Sequence, residues 1–221
     1  KAETLTATNT NSTGFTSVSG VRGEGVTFDG TDDYFSCTDA NCGGTTELDM
    51  GTSDFSVGAW FKTSTTATQE IIRKGSGAAG EEYYILRTNL SGQLVFFYWD
   101  GTTQVSAAST QLVQDGLWHH AVGVADRDSG VKLYLDGNLV AETSGSATGS
   151  MDSTGSFGIG ANTTTPNTFW NGQIDEPFIT ATALTSGQIK NMYQIGYRAL
   201  QSHNSGLGGG SADANQKFGV A

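Results

Sequence analysis

The stretch Leu117-Trp118-His119-His120-Ala121-Val122-Gly123-Val124, followed by Val131-Lys132-Leu133-Tyr134-Leu135-Asp136-Gly137, constrains the fold more than any other part of this chain. It reads as a β-hairpin. A Trp-His-His strand start leads through a polar turn to a Leu-Tyr-Leu strand, and Asp-Gly supplies the next turn. Composition agrees. The chain of 221 residues holds 31 Gly, only 2 Pro and 15% charged residues. Many short strands joined by Gly, Ser, Thr, Asn and Asp turns give that profile.

Other segments carry the same signal. Val26-Thr27-Phe28 ends in the Asp29-Gly30 turn, and Asp33 to Ser36 makes the next strand. Phe55 to Lys62 alternates, with Phe55, Val57, Ala59 and Phe61 on one face and Trp60 making the other partly apolar. Gln93 to Trp99 is apolar on both faces and stops at Asp100-Gly101. A strand wet on neither face lies inside a sandwich or beneath a groove filled by ligand. Pro177 cannot donate to a ladder, so Gly172 to Ile179 is an edge strand or is bulged there. Thr185-Ser186-Gly187-Gln188 has capping-box spacing and predicts a short helix with Ile189, Met192, Tyr193 and Gly196 on one face. Three parts are expected: residues 1–19 as an extension or first strand, 20–199 as the domain, and 200–221 as a Gly/Ser-rich linker or the start of a further module.

Taken in order, Gly23 to Gly30, Phe55 to Lys62, Ile71 to Gly75, Trp118 to Val122, Leu133 to Gly137, Phe157 to Gly160 and Gly172 to Glu176 resemble a laminin G-like domain of the concanavalin A-like lectin/glucanase superfamily. The resemblance spans about residues 20–197 and implies an all-β fold. Its form is a two-sheet antiparallel jelly-roll β-sandwich with one short C-terminal helix.

Charge and cysteines limit the partners. A net charge of -11 leaves little to neutralise phosphates, so no nucleic acid is expected. No apolar run reaches the roughly 18 residues of a membrane span, so membrane insertion is not expected either. The chain opens Lys1-Ala2-Glu3 without an apolar leader or initiator Met and reads as a mature or excised piece. Cys37 and Cys42 are spaced for a local disulfide, which places the protein outside the reducing cytosol, in an extracellular, cell-surface or virion setting. The sequons at Asn11, Asn89 and Asn162 decide nothing in so Ser/Thr-rich a chain.

Catalysis finds little support. Related glucanases carry Glu-Ile-Asp-x-x-Glu on one strand, whereas this chain has Gln173-Ile174-Asp175-Glu176-Pro177-Phe178, lacking both outer acids. His119 and His120 point to opposite faces of a strand, and no Gly-x-Ser-x-Gly elbow accompanies them. Sugar binding needs flat aromatics beside polar groups. Tyr83, Tyr84, Trp99, Phe169 and Trp170 are candidates; Trp99 beside Asp100 and Trp170 beside Asn171 are favoured because each adjoins a turn. Relatives hold Ca²⁺ where first and last strands meet, which here implies Asp29 with Asp175, or at a rim formed by Ser76–Glu82 and Asp100. The resulting expectation is a non-catalytic recognition or adhesion module for a glycan or cell-surface polysaccharide. The alternative is a self-assembling subunit or decoration domain of a surface filament, sheath or virion, acting beside neighbouring domains.

Overall fold

The computed structural model describes residues 6–9, 16–41, 48–75, 77, 81–164 and 166–206. Its elements are β1 (Thr6–Asn9), β2 (Thr16–Ser19), β3 (Glu24–Asp29), β4 (Asp33–Cys37), β5 (Phe55–Lys62), β6 (Gln69–Lys74), β7 (Tyr83–Thr88), β8 (Gln93–Trp99), β9 (Gln104–Leu112), β10 (His119–Asp126), β11 (Gly130–Leu135), β12 (Asn138–Ser144), β13 (Phe157–Ile159), β14 (Asn171–Thr180) and α1 (Ser186–Gly206). The strands form two seven-stranded sheets. Sheet I has the order β1-β4-β13-β6-β7-β8-β9, and sheet II has β12-β11-β10-β5-β14-β3-β2. Neighbouring strands are antiparallel, giving the jelly-roll sandwich expected from the sequence.

The Trp-His-His hairpin is β10–β11, with Ala121 opposite Leu135 and Asp126 opposite Gly130. Asp136 and Gly137 form the two-residue loop into β12, at φ 52° and 75°. Two positive φ values match the turn to the strand twist. In β5, Phe55, Val57, Ala59 and Phe61 face the core between the sheets, beside Leu86, Phe96 and Tyr98 of sheet I. The opposite face of sheet II carries Val122, Val124 and Tyr134, which Ile189 of α1 covers. Trp60 lies on that face too, stacked on Tyr193 at 5.6 Å. Gly196 permits this approach, since a Cβ there would lie 2.5 Å from Trp60 Cζ2. The second apolar face of β5 is thus buried by the helix.

The helix begins with the predicted capping box. Thr185 N donates to Gln188 Oε1 at 2.9 Å, and Gln188 N donates to Thr185 Oγ1 at 3.3 Å. Helical structure continues to Gly206, past the expected domain end at residue 199, because Ala199, Leu200 and Gln201 favour helix. Residues 16–19 pair with β3 in sheet II. Pro177 lies in a strand between β5 and β3, where the ladder breaks from Asp175 to Phe178 and Glu176 takes φ 48°. The bulge, of the two options, is what accommodates the missing N–H.

One end of the sandwich is held by a buried lysine. Lys74 Nζ donates to Asp39 Oδ1 at 2.9 Å, to the Gly155 carbonyl at 2.9 Å and to the Ser153 carbonyl, and pairs with Asp49 Oδ1 at 3.1 Å. Tyr84 beside it donates to the Leu48 carbonyl at 3.0 Å; burial, reinforced by the Asp49 charge, pushes its phenol pKa up. Cys37 ends β4 and is buried, while Cys42 lies outside the described residues.

Candidate functional site

The outward face of sheet I is where aromatic and charged side chains converge. Alternation turns Tyr84 and Leu86 inward and Tyr83, Ile85 and Arg87 outward on β7. On β8 it turns Leu94, Phe96 and Tyr98 inward and Val95, Phe97 and Trp99 outward. Register then sets Tyr83 opposite Trp99, Ile85 opposite Phe97 and Arg87 opposite Val95. On the flanking strands Arg73 lies opposite Ile85, Glu70 opposite Arg87, Ser106 opposite Phe97 and Gln104 opposite Trp99.

These groups are organised by ring and ion contacts. Tyr83 meets Phe97 edge-on at 5.8 Å. The Arg87 guanidinium lies 4.8 Å above the Phe97 ring, and that of Arg73 lies 5.7 Å from the Tyr83 ring. Arg73 Nη1 holds Glu70 Oε1 at 2.8 Å, and Arg73 Nε donates to the Gly75 carbonyl at 2.7 Å. Burial raises the Glu70 pKa against the opposing pull of Arg73. Burial likewise lowers the Arg87 pKa. Glu70 and Phe97 are only 2% and 6% exposed, whereas Tyr83, Arg87, Val95, Trp99 and Ser106 are part-exposed and Ala108 is open. The result is an aromatic floor with a guanidinium at one end.

Of the residues named from sequence, Tyr83 and Trp99 meet here, and the others do not join them. Tyr84 is a core residue. Trp170 is wholly buried, edge-on to Phe61 at 5.7 Å, and offers no face to a sugar. Its place at a turn misled because the chain enters the core before β14 begins. Asn171 N donates to Gln69 Oε1 at 2.6 Å, while Gln69 pairs with Thr88 at the far end of β7. Five residue steps separate Thr88 from Tyr83, about 17 Å of strand. Phe169 packs beside Tyr34 at 6.1 Å. Asp100 is a turn cap. Its Oδ1 accepts Thr102 N at 3.0 Å, Thr103 N at 2.7 Å and Thr102 Oγ1 at 2.8 Å, and its Oδ2 accepts Gly149 N at 2.8 Å. Burial alone would raise its pKa, but these bonds outweigh it and lower the value to about 2. Sequence reasoning passed over Arg73, Arg87 and Glu70; alternation from Tyr83 sets Arg87 on the Trp99 face, whereas Glu70 and Arg73 reach it only through the β6 bulge and cross-strand register.

The expected Asp29–Asp175 cation pair is not formed. Asn171 lies opposite Asp29, so Asp175 is four residues further along the ladder, about 13 Å away. Asp175 Oδ2 accepts Val21 N at 2.7 Å and Arg22 N at 3.0 Å, and its Oδ1 accepts Glu176 N at 2.8 Å. It ties a loop to the bulge. Asp29, Asp32 and Asp33 instead bring one carboxylate oxygen each within 4.8 Å of one another. Three hard oxygens suit a divalent cation such as Ca²⁺ in donor type. Asp29 Oδ1 also accepts Thr31 N at 2.7 Å.

The two histidines diverge as alternation requires. His119 Nδ1 meets Asp136 Oδ2 at 2.8 Å, and its Nε2 meets Asp115 Oδ1 at 3.1 Å. Burial would lower its pKa, yet the two carboxylates prevail and raise it. His120 packs on Trp60 at 5.1 Å, and burial drops its pKa to about 4. It lines a groove of about 480 Å³ beside α1, together with Arg22, Glu176, Phe178 and Met192.

The fold is that of an antiparallel two-sheet jelly-roll β-sandwich. Residues 29–190 match the Laminin_G_3 family, described as the concanavalin A-like lectin/glucanases superfamily, and the chain belongs to it. No curated protein matches the chain in sequence. Among solved structures it is similar to domain 4 of AbnA, an extracellular GH43 arabinanase from Geobacillus stearothermophilus in complex with arabinotriose. Identity there is 19% and TM-score 0.63, with 86% of this chain and 87% of that one covered. The CBM40 of the Ruminococcus gnavus IT-sialidase is 15% identical, with TM-score 0.61 and coverage of 76% and 96%. The binding domain of Paraclostridial Mosquitocidal Protein 1 is 12% identical at TM-score 0.64; 82% of this chain is covered, but it spans only 45% of that one. At these identities the likeness is one of fold.

Proposed function

We propose that this protein is a non-catalytic recognition module that binds a glycan, such as a cell-surface polysaccharide, on the outward face of sheet I. The observation that carries the reading is the Tyr83–Trp99 pair beside Phe97 and Arg87: part-exposed rings stand next to fixed polar groups. Rings of this kind stack on sugar C–H faces while polar groups take hydroxyls. That the AbnA domain was solved with arabinotriose, and that another neighbour is a sialidase CBM40, supports the reading. The setting is extracellular, with Cys37 bonded to Cys42, and calcium is assigned to Asp29, Asp32 and Asp33 rather than to Asp29 with Asp175. Calorimetry with CaCl₂ tests the cation, and intact mass before and after reduction tests the disulfide.

A glycan array with the native protein tests the function, with Trp99→Ala as the control. Losing an aromatic anchor weakens binding about tenfold or more. An array blank for folded protein rejects the proposal. Concentration-dependent growth in light scattering, with no glycan bound, favours the self-assembling alternative.

A further inference from the structure

We infer that the glycan this face takes is an acidic one, an oligosaccharide whose sugar carboxylate is held by Arg87. The inference rests on the glycan reading above and names the class of ligand.

Among the described residues Arg87 makes no close ion pair: Glu70, which faces it across the strands and attracts it, is bonded to Arg73, so the three groups together carry one net positive charge. Glu70 and Arg73 form a tight pair at 2.8 Å with side chains 2% and 6% exposed. Among the described residues the Arg87 Nε has no hydrogen-bond partner. Its guanidinium lies over Phe97, 4.8 Å from the ring centroid, and the residue is part-buried. A cation partly removed from water, and sharing Glu70 with Arg73, gains from a further anion. In a chain of net charge -11 with 22 acidic residues, two arginines around one glutamate are a local inversion of sign. A planar guanidinium fixed on a ring suits the two oxygens of a carboxylate in a forked pair.

Placement sets the ligand's size and direction. Tyr83 and Arg87 are four residues apart on β7, about 13 Å. Through Phe97 the Arg87 guanidinium and the Tyr83 ring stand at most about 11 Å apart, a reach that an oligosaccharide fills with one ring on the aromatic pair and the next at the guanidinium. Glu81 and Glu82 precede Tyr83, at the end of the strand away from Arg87. The carboxylate-bearing ring belongs at the Arg87 end.

The test is calorimetry with native protein against tetramers of galacturonate, glucuronate, mannuronate and guluronate. Each is measured beside its carboxyl-reduced counterpart and beside a sulfated neutral tetramer. At least one uronate is expected to bind about 10- to 100-fold more tightly than its reduced form. Arg87→Gln should bring that ratio close to one, and Arg87→Lys should leave it between the two. Raising salt from 0.05 to 0.5 M, about a threefold shorter screening length, should weaken only the uronate. Melting curves establish that each variant is folded; if Arg87→Gln is not, Arg87→Lys and the salt series decide. Equal binding of acidic and reduced forms overturns the inference and leaves the glycan reading standing. A sulfated tetramer that matches the uronate overturns the carboxylate assignment. If no tetramer binds but neutral glycans bind on the array, only the inference falls; if nothing binds in either assay, both fall.

Discussion

Replacing Lys74 by methionine should destabilise the protein far more than its single side chain suggests. The ammonium is fully buried among Asp39, Asp49 and the carbonyls of Ser153 and Gly155. Methionine keeps the volume but removes the charge. The Asp49 side chain, 1% exposed and with Oδ2 already unpaired, would then be a buried anion held only by Ser153 N at 3.1 Å. Removing one partner of a buried pair costs about 3–5 kcal/mol. For a chain of this size that lowers Tm by roughly 6–20 °C. Urea unfolding followed by tryptophan fluorescence measures it. The cause is separable from packing by adding Asp49→Asn, which removes the orphaned charge. The double variant should recover about 2 kcal/mol relative to Lys74→Met. A Lys74→Met protein within about 1 kcal/mol of wild type, or a double variant showing simple additivity, would refute the reasoning.

The adjacent histidines should give pH effects of opposite sign. His119, with its pKa raised, adds stability that is complete below about pH 6.5 and is lost as pH rises through its folded value, so Tm of His119→Gln should fall below wild type most in acid. His120, with its pKa at about 4, stabilises above about pH 6.5, and roughly 3 kcal/mol is lost as pH falls through 4; His120→Phe should flatten that acid limb in a Tm series from pH 3 to 8. Asp100→Ala removes the amide bonds that join the turn to Gly149 and should cost about 2 kcal/mol in urea unfolding at neutral pH, with much less difference near pH 2. Gly123→Ala would set a Cβ 2.2 Å from Phe96 Cγ and should destabilise by about 1–3 kcal/mol by the same assay.

Much of the fold was legible because it rests on alternation. Phe55, Val57, Ala59 and Phe61 could be assigned to the core from spacing alone, and Gln93 to Trp99 could be seen to be apolar on both faces. What spacing does not reveal is which cover lies over a second apolar face. For β5 it is α1; for β8 it is Arg87, whose methylenes and guanidinium shield Phe97. Trp170 and Asp175 were misjudged for a related reason. Both adjoin irregular backbone, where no period says which way a side chain turns, and only the three-dimensional path shows one entering the core and the other binding loop amides. Cross-strand partners such as Glu70 and Arg87 are distant in sequence and meet through register.

Because α1 packs against sheet II, it stands on the side of the sandwich opposite the Tyr83–Arg87 face. That two-sidedness has a practical value. Lys190 is exposed on the helix, so a protein attached to a sensor or bead through that amine would present sheet I outward, whereas attachment through sheet I would hide it.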